Sequence, residues 1–159
     1  MSRLVTVAAI LALLAGCGFQ LQGAYTAPPE MERTFIATSD GHSLFYRKLG
    51  IALRQAGVQV VDDPAAATAT LSISYDRTGQ RVLSVSARNV PTEYEVFYTI
   101  AYSIDAAGRG LLPTQELTQT RDYTYDPTLV LGKAREEELL REAISDDLVR
   151  IVLKQISTL

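Results

Sequence analysis

The chain has 159 residues, with one cysteine, one histidine and no tryptophan, and its 15 lysines and arginines against 18 acids leave a net charge of −3. A lone cysteine closes no intramolecular disulfide, and neither Cys nor His is present in the pairs that a transition-metal site needs. The acidic balance argues against a general nucleic-acid or anionic-membrane surface, and the length suits one hydrophobic core rather than two.

The N-terminus follows a secretory pattern: Arg3, an uncharged run from Leu4 to Leu14, then the small residues Ala15 and Gly16. That run is too short for a permanent membrane helix, which needs roughly 20 apolar residues. Cys17 directly after Leu14-Ala15-Gly16 resembles the lipobox of bacterial lipoproteins, in which the thiol becomes a diacylglyceryl thioether and the new N-terminus is acylated. The resemblance implies residues 1–16 as a cleaved signal peptide and a covalent lipid on Cys17, with no other cofactor. Arg3 is the only charge removed, so the mature chain would carry −4. Several acyl chains, at about 0.8 kcal/mol per buried CH₂, hold a protein stably to a membrane that it does not cross. Gly18 stands where an aspartate would favour inner-membrane retention in Gram-negative lipoproteins, which implies the outer membrane, facing the periplasm. The alternative is an ordinary signal peptide followed by a free thiol.

Residues 17–32 read as a tether, with Gly23, Pro28 and Pro29 breaking both periodicities. Phe19, Leu21 and Tyr25 alternate within it, which suits a segment lying partly on the domain. Residues 33–159 read as a single α+β domain. Arg33 to Thr38 is a short strand around Phe35-Ile36. From Ser43 to Ala56, Phe45, Leu49, Leu53 and Ala56 recur at helical spacing, and Gly57 sits where a glycine would stop the helix. Val58 to Val61 is a short buried strand. Leu71, Ile73 and Tyr75 alternate with polar residues, as do Leu83, Val85 and Ala87; the Arg77–Gln80 interruption leaves open a hairpin or one long strand bent at a bulge near Gly79.

Tyr94 to Asp105 is the clearest strand, with Tyr94, Val96, Tyr98, Ile100, Tyr102 and Ile104 on one face. Gln115 to Tyr125 returns as a more polar strand, ended by Asp126-Pro127. About Lys133 to Ser157 is an amphipathic helix with Leu140, Ala143, Ile144, Leu148, Ile151, Val152 and Ile156 as its stripe, supported by Glu137–Arg141 and Asp146–Arg150 pairs. The expected architecture is a two-layer sandwich: a sheet of about four strands with both helices packed on one face.

Catalytic chemistry is sparse. His42 lies in Ser39-Asp40-Gly41-His42-Ser43, which contains the residue types of a hydrolase triad, but sequence neighbours at a helix cap cannot supply triad geometry and no nucleophile elbow occurs. The Glu136-Glu137-Glu138 run suits the positive end of a helix dipole. Alternate Tyr94, Tyr98 and Tyr102 form a carbohydrate platform or, more simply, core and rim packing. No catalytic residue and no metal site is expected.

Cys17-Gly18-Phe19-Gln20-Leu21-Gln22-Gly23, Arg88-Asn89 followed by Glu93-Tyr94, and Tyr125-Asp126-Pro127 followed by Leu131-Gly132-Lys133 and an amphipathic last helix together resemble the LPS-assembly lipoprotein family LptE. Gln22 departs from it, where many relatives place a basic residue, and the chain ends at Leu159 where some carry a polar tail. The resemblance implies a non-catalytic plug inside the outer-membrane β-barrel LptD that assists barrel assembly and lipopolysaccharide delivery. It also implies lipopolysaccharide contacts at Arg88 and Lys133, with Arg77, Arg81 and Arg121 as weaker candidates. The expected partners are LptD, lipopolysaccharide and a membrane through the lipid anchor, with no nucleic acid. The rivals are an accessory lipoprotein of another envelope transport or secretion complex, and a lipid-anchored hydrolase whose activity would be lost in His42→Ala. Cys17→Ser should abolish the acyl mass increment on the mature N-terminal fragment, read by mass spectrometry.

Overall fold

The computed structural model describes residues 25–125 and 130–159. The signal peptide, the lipidation site Cys17, the first part of the tether and the Asp126-Pro127 strand end lie outside the described residues. Among those described, no helix is long and apolar enough to cross a membrane. The tether boundary moves: Pro29–Met31 forms a 3₁₀ turn and Met31 is fully buried, accepting a 2.8 Å hydrogen bond at its carbonyl from the Thr34 hydroxyl. The apolar methionine side chain and that bond bring the packed unit back before residue 33.

Five strands and two helices follow: β1 (Arg33–Thr38), α1 (Leu44–Gln55), β2 (Gln59–Val61), β3 (Ala69–Val85), β4 (Pro91–Ala106), β5 (Arg109–Thr124) and α2 (Val130–Ile156). They form an α+β domain with one mixed sheet in the order β2-β1-β3-β4-β5. β1 runs parallel to β2 and β3, while β3, β4 and β5 are antiparallel neighbours. β2 is the short strand read at Val58 to Val61; it joins the four main strands as a fifth, edge strand, and it is half-exposed rather than buried.

Local chemistry sets the element ends. The Ser43 hydroxyl accepts from the Tyr46 N–H and caps α1, while Gly57 takes φ +87° beyond its end. β4 turns into β5 through Ala107 and Gly108 alone, both at positive φ, with Ala106 paired to Arg109. This is the two-residue hairpin whose twist matches its strands. β5 therefore starts six residues earlier than the sequence pattern indicates, and Pro113 is tolerated because β5 is an edge strand.

One core lies between the sheet and the helices. β4 supplies Val96, Tyr98, Ile100, Tyr102 and Ile104, α1 supplies Phe45, Leu49 and Leu53, and α2 supplies Ile144, Leu148, Val149, Val152, Leu153 and Ile156. Val149 and Leu153 displace Ala143 and Ile151 from the expected stripe, because α2 packs against α1 as well as the sheet and buries a wider arc. The Asp146–Arg150 pair is also corrected: Asp146 instead accepts from Lys48 of α1 at 2.6 Å, and Arg150 pairs with Asp147.

β3 is one long strand, and its irregularities are not at Gly79. Ser74 is an extra residue between the Ile73–Tyr102 and Tyr75–Ala101 pairs, and the register shifts again around Leu83. A one-residue insertion flips every later side chain to the other face. Inward positions pass from Leu71 and Ile73 to Asp76 and Gln80, which oppose Ile100 and Val96. Gly79 stays in register with Phe97 on the outer face, where a Cβ would meet the ring at 2.8 Å.

The flip aims Asp76 at the start of α1. Its carboxylate accepts from the Ser43 hydroxyl at 2.5 Å and from the Tyr98 hydroxyl, which in turn accepts from the Phe45 N–H at 3.2 Å. Burial, reinforced by Asp76, pushes the Tyr98 phenol far above its ordinary value, and burial pushes Tyr102 up to about 12. Above pH 10 an unfolded tyrosine loses its proton while these two keep theirs. The unfolded chain then binds fewer protons, so stability falls as pH rises. Urea titrations should give a stability that is flat approaching pH 10 and declines between about pH 10 and 12, with a shallower decline in Tyr98→Phe and in Tyr102→Phe.

Candidate functional site

The sequence directs attention to Arg88 and Lys133, and both sit toward the same end of the sheet. There β3 and β4 continue as a two-stranded ribbon past the last β4–β5 pair, Glu93 with Thr124. Arg88 is not on the polar side of a strand as its alternation suggests. It lies in the turn between Val85 and Pro91, where the Ser86 N–H donates to the Val90 carbonyl at 2.8 Å and the Asn89 N–H to the Ser86 carbonyl at 2.9 Å. Asn89 adopts φ 58°, a conformation that asparagine tolerates better than most residues. The turn holds Arg88 at the exposed tip.

Around it lies a feature that alternation alone conceals. Val82, Leu83, Val85 and Val90 are all exposed, Val85 by 52%. Residues that read as a core-facing strand therefore meet water here. The signal was available in the run Val82-Leu83-Ser84-Val85, apolar beyond strict alternation.

Lys133, at the first turns of α2, is engaged. Its ammonium pairs with Glu136 at 2.7 Å and stands 5.9 Å from the centroid of the Tyr123 ring. Tyr123 stacks on Tyr94 at 5.7 Å, Tyr94 meets Tyr125 edge-on at 5.3 Å, and the Tyr123 hydroxyl donates to Gln80 at 3.0 Å. Burial first, then the nearby negative Glu137, raises the Tyr123 phenol above its ordinary value and keeps it a hydrogen-bond donor. Lys133 is thus a cation seated on an aromatic shelf, with its side chain only 18% exposed.

The weaker candidates are also occupied. Arg81 pairs with Glu95 at 2.5 Å, Arg77 stands over the Tyr75 ring at 5.7 Å, and Arg121 bridges to Asp147 on α2 at 2.6 Å. The Arg121 hydrogen bond, ahead of the Arg150 charge, holds the Asp147 carboxyl below its ordinary value. Among the described residues, Arg88 alone of these five cations makes no ion pair or ring contact.

The other candidate residues sit in structural settings. The Ser43 hydroxyl serves α1 and Asp76, and the His42 N–H donates to Asp40 at 2.8 Å in the loop before the helix. Tyr98 and Tyr102 are buried, so the tyrosine series is core packing rather than a platform. No group of three or more His, Cys, Asp or Glu able to hold a metal occurs among the described residues.

The family model described as "LptE: Lipopolysaccharide-assembly" matches residues 31–156. The LPS-assembly lipoprotein LptE of Yersinia enterocolitica serotype O:8 is 27% identical over 143 residues, covering 89% of this chain and 69% of the relative. That of Yersinia pestis strain Pestoides F is 27% identical over 159 residues, covering 98% and 76%. Among solved structures, the lipoprotein B of Nitrosomonas europaea superimposes with a TM-score of 0.73 at 29% identity, over 88% of this chain and 90% of that one. The rare lipoprotein B of Shewanella oneidensis shares the fold, with a TM-score of 0.68 at 24% identity over 79% and 94%.

The two cations should respond differently to charge reversal. Arg88→Glu should leave stability within about 0.5 kcal/mol, as expected at an exposed turn. Lys133→Glu should lower it by about 1 kcal/mol, by losing the ring contact and facing Glu136 with like charge. Urea midpoints check both.

Proposed function

The chain belongs to the lipopolysaccharide-assembly family LptE, and we propose that it is an outer-membrane lipoprotein, anchored through Cys17 on the periplasmic side, that plugs the LptD barrel. In this role it assists barrel assembly and lipopolysaccharide delivery and performs no catalysis. The observation that carries the reading is the β3–β4 hairpin end, where Val82, Leu83, Val85 and Val90 are exposed and Arg88 on the turn makes no ion pair among the described residues. A cluster of that kind on a small domain marks a surface that another molecule covers.

The two kinds of contact divide by chemistry. Val82, Leu83, Val85 and Val90 suit the wall or a loop of an enclosing protein. The polar strand faces beside them suit a wet barrel lumen. Lipopolysaccharide carries phosphates and acidic sugars, for which Arg88 and Lys133 are the cations. Arg88 is available as it stands, whereas Lys133 must exchange Glu136 for the ligand's oxyanion while keeping its aromatic seat. A pre-existing ion pair at a partly exposed site is a small obstacle, worth about 0–1 kcal/mol.

Two variants separate the contacts. Arg88→Glu with Lys133→Glu should weaken lipopolysaccharide capture in a pull-down at least tenfold while co-purification with the outer-membrane barrel persists. Val85→Asp with Val90→Asp should do the reverse. Unchanged lipopolysaccharide capture by the first variant would remove those residues from the assignment, and a barrel absent from the wild-type preparation would favour another envelope complex.

A further inference from the structure

The opposite edge of the sheet carries a second site, independent of the reading above. There α1, β1 and β2 enclose a groove of about 290 Å³. Ile36, Gly50, Ile51 and Val60 form its apolar surface and Arg47 and Arg54 its cationic rim. β2 is the edge strand at this side, four strands removed from β5.

Gly50 is the informative residue. It stands in the middle of the twelve-residue α1, where glycine is the poorest helix former after proline. Packing does not demand it: a Cβ there would meet Arg54 Nη1 at 3.6 Å and Ile36 Cδ1 at 3.8 Å, both ordinary contact. A missing side chain with room for a methyl group leaves the groove open at the point where a longer residue would fill it. The same geometry brings the Arg54 guanidinium close to Gly50 at the rim of the groove, while the arginine side chain stays exposed to solvent.

The charge of α1 runs against that of the molecule. The chain is net acidic, yet α1 carries Arg47, Lys48 and Arg54 and no acid. Lys48 is used by Asp146, whereas Arg47 and Arg54 make no ion pair among the described residues. They are two turns apart on one helix face, about 10 Å along the axis, a span that two arginine side chains converge across. Between them Ile51 is 55% exposed. An apolar groove closed by two unpaired guanidiniums complements a ligand with a hydrocarbon chain and an anionic head, and the planar guanidinium fork matches phosphate oxygens.

We propose that this groove binds a single phospholipid molecule, its acyl chain along Ile36, Gly50, Ile51 and Val60 and its phosphate between Arg47 and Arg54. The full-length protein, reconstituted in phosphatidylcholine liposomes, is irradiated with a small fraction of phosphatidic acid carrying a diazirine on its acyl chain, and labelled peptides are mapped by mass spectrometry. The α1 and β2 peptides should carry at least fivefold more label than the α2 peptide around exposed Leu139, and at least fivefold more than when the diazirine is carried by phosphatidylcholine.

Gly50→Leu, and separately Ile51→Asp at the exposed wall, should each lower that label at least fivefold. Arg47→Gln with Arg54→Gln should remove the preference for phosphatidic acid. Gly50→Ala should melt no lower than the wild-type protein, and Arg88→Glu with Lys133→Glu should leave the labelling unchanged, which separates failure here from failure at the hairpin end. Uniform label over all exposed apolar residues, equal labelling by the two lipids, full labelling of both Gly50→Leu and Ile51→Asp, or a lowered melting point of Gly50→Ala would each overturn the proposal.

Discussion

β4 alternates strictly over its length, and that alternation constrains the rest of the molecule. Val96, Tyr98, Ile100, Tyr102 and Ile104 point one way, so the strand has one face that must be covered and one that can meet water. Both helices are committed to the apolar face, and β3 and β5 must pair on either side in registers that place their own apolar residues beneath them. Near Pro91, at the start of β4, Val82, Leu83, Val85 and Val90 are exposed.

Two of the buried β4 residues are tyrosines, which carry hydroxyls into the core and require partners there. Tyr102 finds Gln155 on α2, and Tyr98 finds Asp76 and the Phe45 N–H. The second solution depends on the bulge at Ser74: without the extra residue, Asp76 would face solvent and a core hydroxyl would lose its acceptor. The result is a polar junction among β3, β4 and the α1 N-terminus, at the end of the helix where a carboxylate is favoured.

Electrostatic economy shapes the surface. Most cations near the sheet are already matched, Arg81 with Glu95, Arg121 with Asp147, Lys133 with Glu136 and Lys48 with Asp146. Individually such exposed pairs add little stability, about 0–1 kcal/mol. Their larger effect is to single out the cations left over. Arg88 sits at the ribbon tip beside apolar side chains, and Arg47 with Arg54 sits over an apolar groove at the far edge. The family membership concerns lipopolysaccharide assembly, and each of these places joins hydrocarbon surface to positive charge.

The sequence by itself determined the elements and most of the core. The Phe45, Leu49, Leu53 period, the Ser43 cap, the Gly57 stop and the β4 alternation are short-range signals, because backbone hydrogen bonding and side-chain direction repeat within a few residues. They located both helices and the four main strands, and the order of scattered residues around Arg88 and Lys133 indicated the family. Only the tertiary structure decided that β3 is one strand, that its bulges lie at Ser74 and near Leu83, that Asp146 reaches across to Lys48, and that Arg88 rides on a turn. It also revealed the exposed ribbon and the Gly50 groove. Apart from the ribbon, which the apolar run Val82-Leu83-Ser84-Val85 signals locally, each of these depends on which residue stands opposite another from a distant part of the chain, and a single inserted residue reverses every face beyond it.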